Sequence, residues 1–193
     1  MIGLRRMLGL AAMVLGGAAA ASEMTGPDWT TAVALAERIQ AGQPTQVFDL
    51  RSRAAFQRFH VASAVPATLA DLLDLSSPRS ASIVLYGDSR ARVTQAWALL
   101  RIRGYRHVAS LRQGLYEWIA RVYEPALPVD ATSAERAEFD RLAALSRYFG
   151  GQPRLDVPRA AVPGGYWTAG GGLGSRPSVE TALLVAAIRR RGC

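Results

Sequence analysis

The stretch Ile83 to Arg92, reading Ile-Val-Leu-Tyr-Gly-Asp-Ser-Arg-Ala-Arg, constrains this chain more than any other. Ile83 to Tyr86 is an apolar run closed by Gly87, the pattern of a buried strand. Val93 to Leu100 reads as a helix. A strand that passes through a short polar loop into a helix N-terminus turns several backbone N–H groups toward one point, with the helix dipole behind them. Such a cradle stabilises an anion, or a thiolate where the loop carries a cysteine. The loop here, Gly87-Asp88-Ser89-Arg90-Ala91-Arg92, carries none, and the single cysteine of the chain is its last residue, Cys193.

The flanking sequence repeats the alternation of strand and helix. Thr30 to Ala41 has Val33, Ala36 and Ile39 at helical spacing and ends at Gly42 and Pro44. Gln46 to Leu50 reads as a strand, Arg51 to Phe59 as a loop and short helix, and Val61 to Pro66 as a short extended segment. Leu69 to Leu75 is a helical turn or two. After the helix through Arg103, Gly104-Tyr105 breaks the pattern, His107 to Leu111 is a further strand, and Gly114 to Val122 a further helix. This order predicts an α/β fold with a small, mostly parallel β-sheet flanked by helices. Beyond Pro125 and Pro128, Thr132-Ser133-Ala134-Glu135 is a capping box opening a helix to Phe149. A Pro- and Gly-rich connector from Gln152 to Gly174 leads to a last helix over Val179 to Arg191, so the domain carries a C-terminal α-helical extension. Tyr166 and Trp167, in that connector, are read as a clamp onto the domain or as partner-facing.

Composition narrows the function. All 23 basic residues are Arg, which excludes a lysine Schiff base and a phosphate-loop lysine. Arg5 and Arg6, the apolar run Leu8 to Gly17 and the small residues Ala19-Ala20-Ala21 have the order of a secretory signal peptide, placed at residues 1–21. The run is too short for a good membrane span. The protein is therefore expected to be exported, to a periplasm, beginning near Ser22, with no stable span after signal removal. The formal charge of +8 is spread without a basic stripe, so no nucleic-acid partner is expected. His60 and His107 have no cysteine near them and no carboxylate at ligand spacing, so no metal site and no cofactor are expected.

Five segments in register resemble the rhodanese-like family of sulfurtransferases. Val47-Phe48-Asp49-Leu50-Arg51 is similar to the family's first strand ending in Asp-x-Arg. Phe56 through His60-Val61-Ala62-Ser63-Ala64 resembles its aromatic and His-Ile-Pro-Gly-Ala stretch. Arg92 stands at the arginine of its active loop, Cys-x-x-Gly-x-Arg-Ser. Gly104-Tyr105-Arg106-His107-Val108 and Leu111-Arg112-Gln113-Gly114 with Trp118 resemble its closing Gly-Tyr-x-x-Val and Leu-x-Gly-Gly-x-x-x-Trp. The resemblance implies a rhodanese-like domain over residues 28–123, followed by an extension over 124–193.

The departures carry the functional expectation. The alignment places Gly87 at the family's nucleophilic cysteine and Arg90 at its loop glycine. Sulfur transfer needs a thiolate that accepts and hands on a sulfur atom, and glycine has no atom for either step. The family site is therefore expected to be catalytically silent, with no catalytic residue in it. The loop from Gly87 to Arg92 is expected to bind instead, engaging an envelope protein or a small anion. Asp88 and Ser89 read as turn and N-cap residues, or as substitute nucleophiles. Arg90 and Arg92 hold an oxyanion, stand in solvent, or pair with Asp49 or Asp88. Asp49 and Arg51 read as a structural ion-pair network, and Trp97 and Trp118 as core. The alternative reading is a thiol-dependent sulfurtransferase or redox protein using Cys193, whose neighbours Arg189, Arg190 and Arg191 lower a thiol pKa. An interchain disulfide through Cys193 is the remaining pairing open to it.

Overall fold

The structure, a computed structural model, describes residues 26–162. The expected signal peptide, the second half of the expected connector with Tyr166 and Trp167, the expected last helix and Cys193 lie outside these residues.

Five short strands form one sheet: β1 (Asp28–Thr30), β2 (Gln46–Asp49), β3 (Ala64–Pro66), β4 (Ser82–Tyr86) and β5 (His107–Leu111). Their order is β1-β5-β4-β2-β3, and every pairing between neighbours is parallel. A parallel sheet needs crossover helices on its faces, so its central strand is apolar on both sides. In β4 the side chains alternate accordingly. Val84 and Tyr86 join one core cluster with Leu35, Val47 and Trp118, while Ile83 and Leu85 join a second with Leu72, Trp97 and Leu100. β1 was not anticipated from sequence, because three residues are too few to show a period. Asp28 to Thr30 extend only by pairing with Ala109 to Leu111 of β5.

The helices form where the apolar spacing placed them. α1 (Ala32–Gln40) is capped by Thr31, α2 (Arg53–Arg58) by Ser52, and α3 (Leu69–Leu73) by Thr68 in a capping box with Asp71. α4 (Arg90–Ile102) buries Val93, Ala96, Trp97 and Leu100, the i, i+3, i+4, i+7 stripe of a helix packed on a sheet. The helix expected over Gly114 to Val122 is α5 (Leu115–Trp118) continued by one π-type turn, Ile119–Tyr123.

The chain beyond Tyr123 packs onto this layer. α6 (Ser133–Tyr148) begins in the expected capping box of Thr132 with Glu135, and Leu145 enters the same core cluster as Leu35, Val84 and Trp118. Ser146 Oγ donates to the Tyr123 carbonyl at 2.8 Å, and Arg141 bonds both Glu37 of α1 and Glu138 of its own helix. The connector expected from Gln152 is corrected in its first part. β6 (Ala126–Pro128) pairs in parallel with β7 (Arg154–Val157), and a 3-10 turn follows at Arg159–Ala161. The Arg154 N–H reaches the Pro125 carbonyl and the Val129 N–H the Val157 carbonyl, at 2.8 and 3.0 Å. Pro and Gly concealed these strands, because their pairing is long-range and irregular, with Asp156 at φ +53°.

Because Leu145 is 4% exposed within the main core, Leu145→Ala should lower stability by about 2–5 kcal/mol. Arg141→Ala, at a half-exposed ion pair, should cost no more than about 1 kcal/mol. Urea denaturation of the two variants measures both, and equal losses would mean that α6 is held by charge rather than by burial.

Candidate functional site

The junction of β4 and α4 is tighter than its sequence suggested. Helical backbone begins at Arg90, not at Val93, so only Gly87, Asp88 and Ser89 remain as loop. The reason is the cap: Ser89 Oγ accepts the Arg92 N–H at 3.3 Å, and the Ser89 carbonyl accepts the Val93 N–H at 3.1 Å. Ser89 thus has the N-cap role, and Arg90, Ala91 and Arg92 form the first helical turn. Asp88 is exposed.

Gly87 closes against its surroundings. A Cβ built on it would lie 3.4 Å from Leu50 Cβ, an ordinary packing distance, and 3.2 Å from Val93 Cγ2, close enough that Val93 would have to give by a few tenths of an ångström. Val93 is 6% exposed, and its Cγ2 methyl group is the atom nearest to that position. Across the cleft, Gly114 stands at φ +60°, and a Cβ there would come within 3.2 Å of the Gly87 carbonyl oxygen. Glycine is required at 114 on both counts. This pair of glycines lets the turn after β5 approach the turn after β4.

Between those turns lies a cavity of about 90 Å³ at the C-terminal ends of β4, β5 and β1. Gly87, Gly114, Val93 and Leu111 line it, and Trp29, Arg90, Arg112 and Gln113 complete its wall and mouth. The Arg90 guanidinium lies 5.3 Å from the centre of the Trp29 ring, within cation–π range. Of the two loop arginines, only Arg90 reaches the cavity. Arg92 donates instead to the Leu50 carbonyl at 3.2 Å. Trp29 and Arg112 were not legible as site residues, since parallel pairing of β1 with β5 is what brings them together. Neither His60 nor His107 lines the cavity; His60 stacks on Phe56 at 4.0 Å and its Nδ1 lies 3.0 Å from the Phe56 carbonyl. Among the described residues no cluster of His, Cys, Asp or Glu could hold a metal ion.

Two buried carboxylates support this end of the sheet. Asp49 is fully buried and accepts from Arg51 Nη2 at 2.6 Å and Tyr86 Oη at 2.7 Å. Arg51 is therefore the partner of Asp49, and the open pairing of Arg90 or Arg92 with Asp49 is not the one formed. Burial, reinforced by the Asp49 charge, pushes the Tyr86 hydroxyl well above its usual range. Glu117, on α5, is 6% exposed. It accepts the backbone N–H groups of Ala32, at the start of α1, and of Gln113, at the cavity mouth. Its Oε2 has no hydrogen-bond partner. Burial raises its pKa, against the opposing pull of those N–H groups and of the Arg112 and Arg121 charges.

A parallel α/β domain with its cleft at the strand C-termini, between the turns after β4 and β5, defines a class of site, and comparison with known proteins specifies it. The rhodanese-like domain family model matches residues 31–121. The Alr3790 protein of Anabaena sp., solved as a crystal structure, is 33% identical over 47% of this chain and 85% of that chain, with a TM-score of 0.44. The single-domain sulfurtransferase RDL2 of Saccharomyces cerevisiae is 14% identical over 49% of this chain and 89% of its own, with a TM-score of 0.43. A rhodanese-like domain protein from Staphylococcus aureus is 16% identical over 47% and 90%, with a TM-score of 0.42. No curated protein matches the chain. The chain belongs to the rhodanese-like domain family.

Glu117 gives this site a pH signature. Its folded pKa is raised, so the folded state holds this proton to higher pH than the unfolded chain does. Its contribution to stability therefore falls as pH rises, from the ordinary carboxylate range near about 4.3 up through the raised folded value. Glu117→Gln keeps a carbonyl acceptor for Ala32 and Gln113 and removes the buried charge. The stability difference between variant and parent, measured by denaturation from pH 4 to pH 8, should move steadily in favour of the variant as pH rises. A constant difference would mean that Glu117 is ionised as easily in the folded protein as in the unfolded one.

Proposed function

We propose that this chain is an exported rhodanese-like protein that does not transfer sulfur at its family site and serves as a binding module there. The cavity beside Gly87 engages a partner protein or a small anion in the cell envelope. The observation that carries this reading is at Gly87: the residue has no side chain to act as a nucleophile, and the atom nearest to where a Cβ would stand is Val93 Cγ2, at 3.2 Å. Sulfur transfer requires a thiolate to attack the donor and to hold the sulfur, and the described residues contain no cysteine. The N-terminus of α4 and the Arg90 and Arg112 guanidinium groups give the cavity mouth the sign that attracts anions.

Export is part of the same proposal and rests on the order of Arg5, Arg6, the apolar run and the small residues before Ser22. Among the described residues no helix is long and apolar enough to cross a membrane.

The activity half is tested by thiosulfate-to-cyanide sulfur transfer with the mature protein, where turnover should equal background. Turnover that survives Cys193→Ser would place a nucleophile in the loop and overturn the reading. Turnover abolished by Cys193→Ser would move the chemistry to the end of the chain. The export half is tested by sequencing the N-terminus of the protein recovered from an envelope fraction. It should begin near Ser22, and an intact Met1 on cytoplasmic protein would overturn it.

A further inference from the structure

The cavity beside Gly87 is apolar at its floor and cationic at its mouth. Val93 and Leu111, 6% and 3% exposed, supply side chains to the floor, and the two glycines supply backbone. Trp29, 42% exposed, forms a wall. Arg90 and Arg112 line the same cavity, both exposed; the Arg112 charge also acts on the buried Glu117, and neither arginine makes an ion pair with another described residue. The volume of about 90 Å³ admits several water-sized groups, each needing about 10–15 Å³ of such space, the room of a short alkyl chain.

An inorganic oxyanion is strongly hydrated and needs donors around it when it leaves water. This floor offers it methyl groups. The motif arginine, Arg92, is turned to the Leu50 carbonyl outside the cavity. The charged donors among the cavity's lining residues are Arg90 and Arg112, beside the start of α4, which suits a ligand with its charge at one end and an apolar body at the other. Resting on the reading of this cavity as a binding site, we infer that it takes a short aliphatic monocarboxylate. The alkyl chain lies on Val93 and Leu111 beside the Trp29 ring, and the carboxylate meets the Arg90 and Arg112 guanidinium groups.

Chain length tests this directly. Acetate, propionate, butyrate, pentanoate and hexanoate are titrated into the mature protein. The amide signals of Gly87 and Gly114 and the indole N–H of Trp29 are followed by NMR, the indole assigned through Trp29→Phe. Each methylene that enters the floor should tighten binding about fourfold, from acetate to butyrate or pentanoate, and the gain should stop once the chain outgrows the cavity. Butyramide should not bind. Arg112→Gln should weaken butyrate about tenfold. Because the series uses the unaltered protein, it stands even if the variant folds poorly. Thiosulfate or sulfate binding as tightly as butyrate, with no dependence on chain length, would overturn the inference while leaving anion binding at this cavity in place. N-acetylvaline displacing butyrate at lower concentration would also overturn it, in favour of a polypeptide C-terminus. No shift at Gly87 and Gly114 with any of these anions would overturn the inference and the small-anion reading together.

Discussion

The buried carboxylate of Asp49 holds this domain in register. It ends β2, and its two oxygens take the Arg51 guanidinium and the Tyr86 hydroxyl, so that the C-terminal ends of β2 and β4 are joined through side chains as well as through the sheet. Arg51 continues to the Phe59 carbonyl at 2.7 Å, and Tyr86 Oη accepts the Val61 N–H at 3.1 Å. The link from α2 into β3 is thereby fixed to the same point. A charge at full burial is tolerable only with such partners, and removing one from a buried pair costs about 3–5 kcal/mol. Leu50, between Asp49 and Arg51, is placed by this network. Its Cβ faces Gly87 and its carbonyl holds Arg92. The shape of the cavity therefore begins with Asp49.

What the network positions is a close approach of two turns. Gly87 and Gly114 meet across the cleft with no room for a Cβ at either without a shift. On the far side of the second turn, Glu117 pins Gln113 to the first residue of α1. This carboxylate satisfies an N–H at a helix start that would otherwise lack a partner, at the cost of its own desolvation. Both turns are thus tied to the sheet from beneath by buried charge, and the cavity between them is a small, preformed space rather than an open loop.

Much of this was legible in the sequence where the pattern is local. Apolar periodicity and caps located α1, α4 and α6 to within a few residues, and the strand of Ile83 to Tyr86 showed its burial in four consecutive apolar residues. The Asp49–Arg51 pair followed from its place at a strand end. The features that stayed hidden depend on contacts distant in sequence. Trp29 and Arg112 become neighbours of Gly87 only once β1 has paired with β5. The strand at Arg154–Val157 is extended only because β6 is there to receive it. The tight contact at Gly87 comes from Val93, six residues away, with Leu50, just past the end of β2, at ordinary packing distance. That position 87 has no side chain could be read from the sequence; that Val93 packs against it could not.

The first turn of α4 sets two cations against its own helix dipole, where that of α2 sets one, Arg53. Helix N-termini favour anionic side chains, and each cation in the first turn opposes the dipole by roughly 0.3–1 kcal/mol. α1, α2 and α4 all lack an acidic residue there, but α4 places two arginines in it, Arg90 and Arg92. Arg92 is compensated by the Leu50 carbonyl. Among the described residues Arg90 has only the face of Trp29, with Arg112 lining the same cavity and adding charge of the same sign. Local rules broken without compensation inside the fold are where function is to be sought. Here the missing compensation has a definite sign, since an anion at the cavity mouth would satisfy the helix dipole, Arg90 and Arg112 together. The same first turn, through Val93, makes the floor apolar. On the proposed reading, the charge of the ligand and the character of its body are set by two residues three apart on one helix, Arg90 by its place at the cleft and Val93 by its place against Gly87.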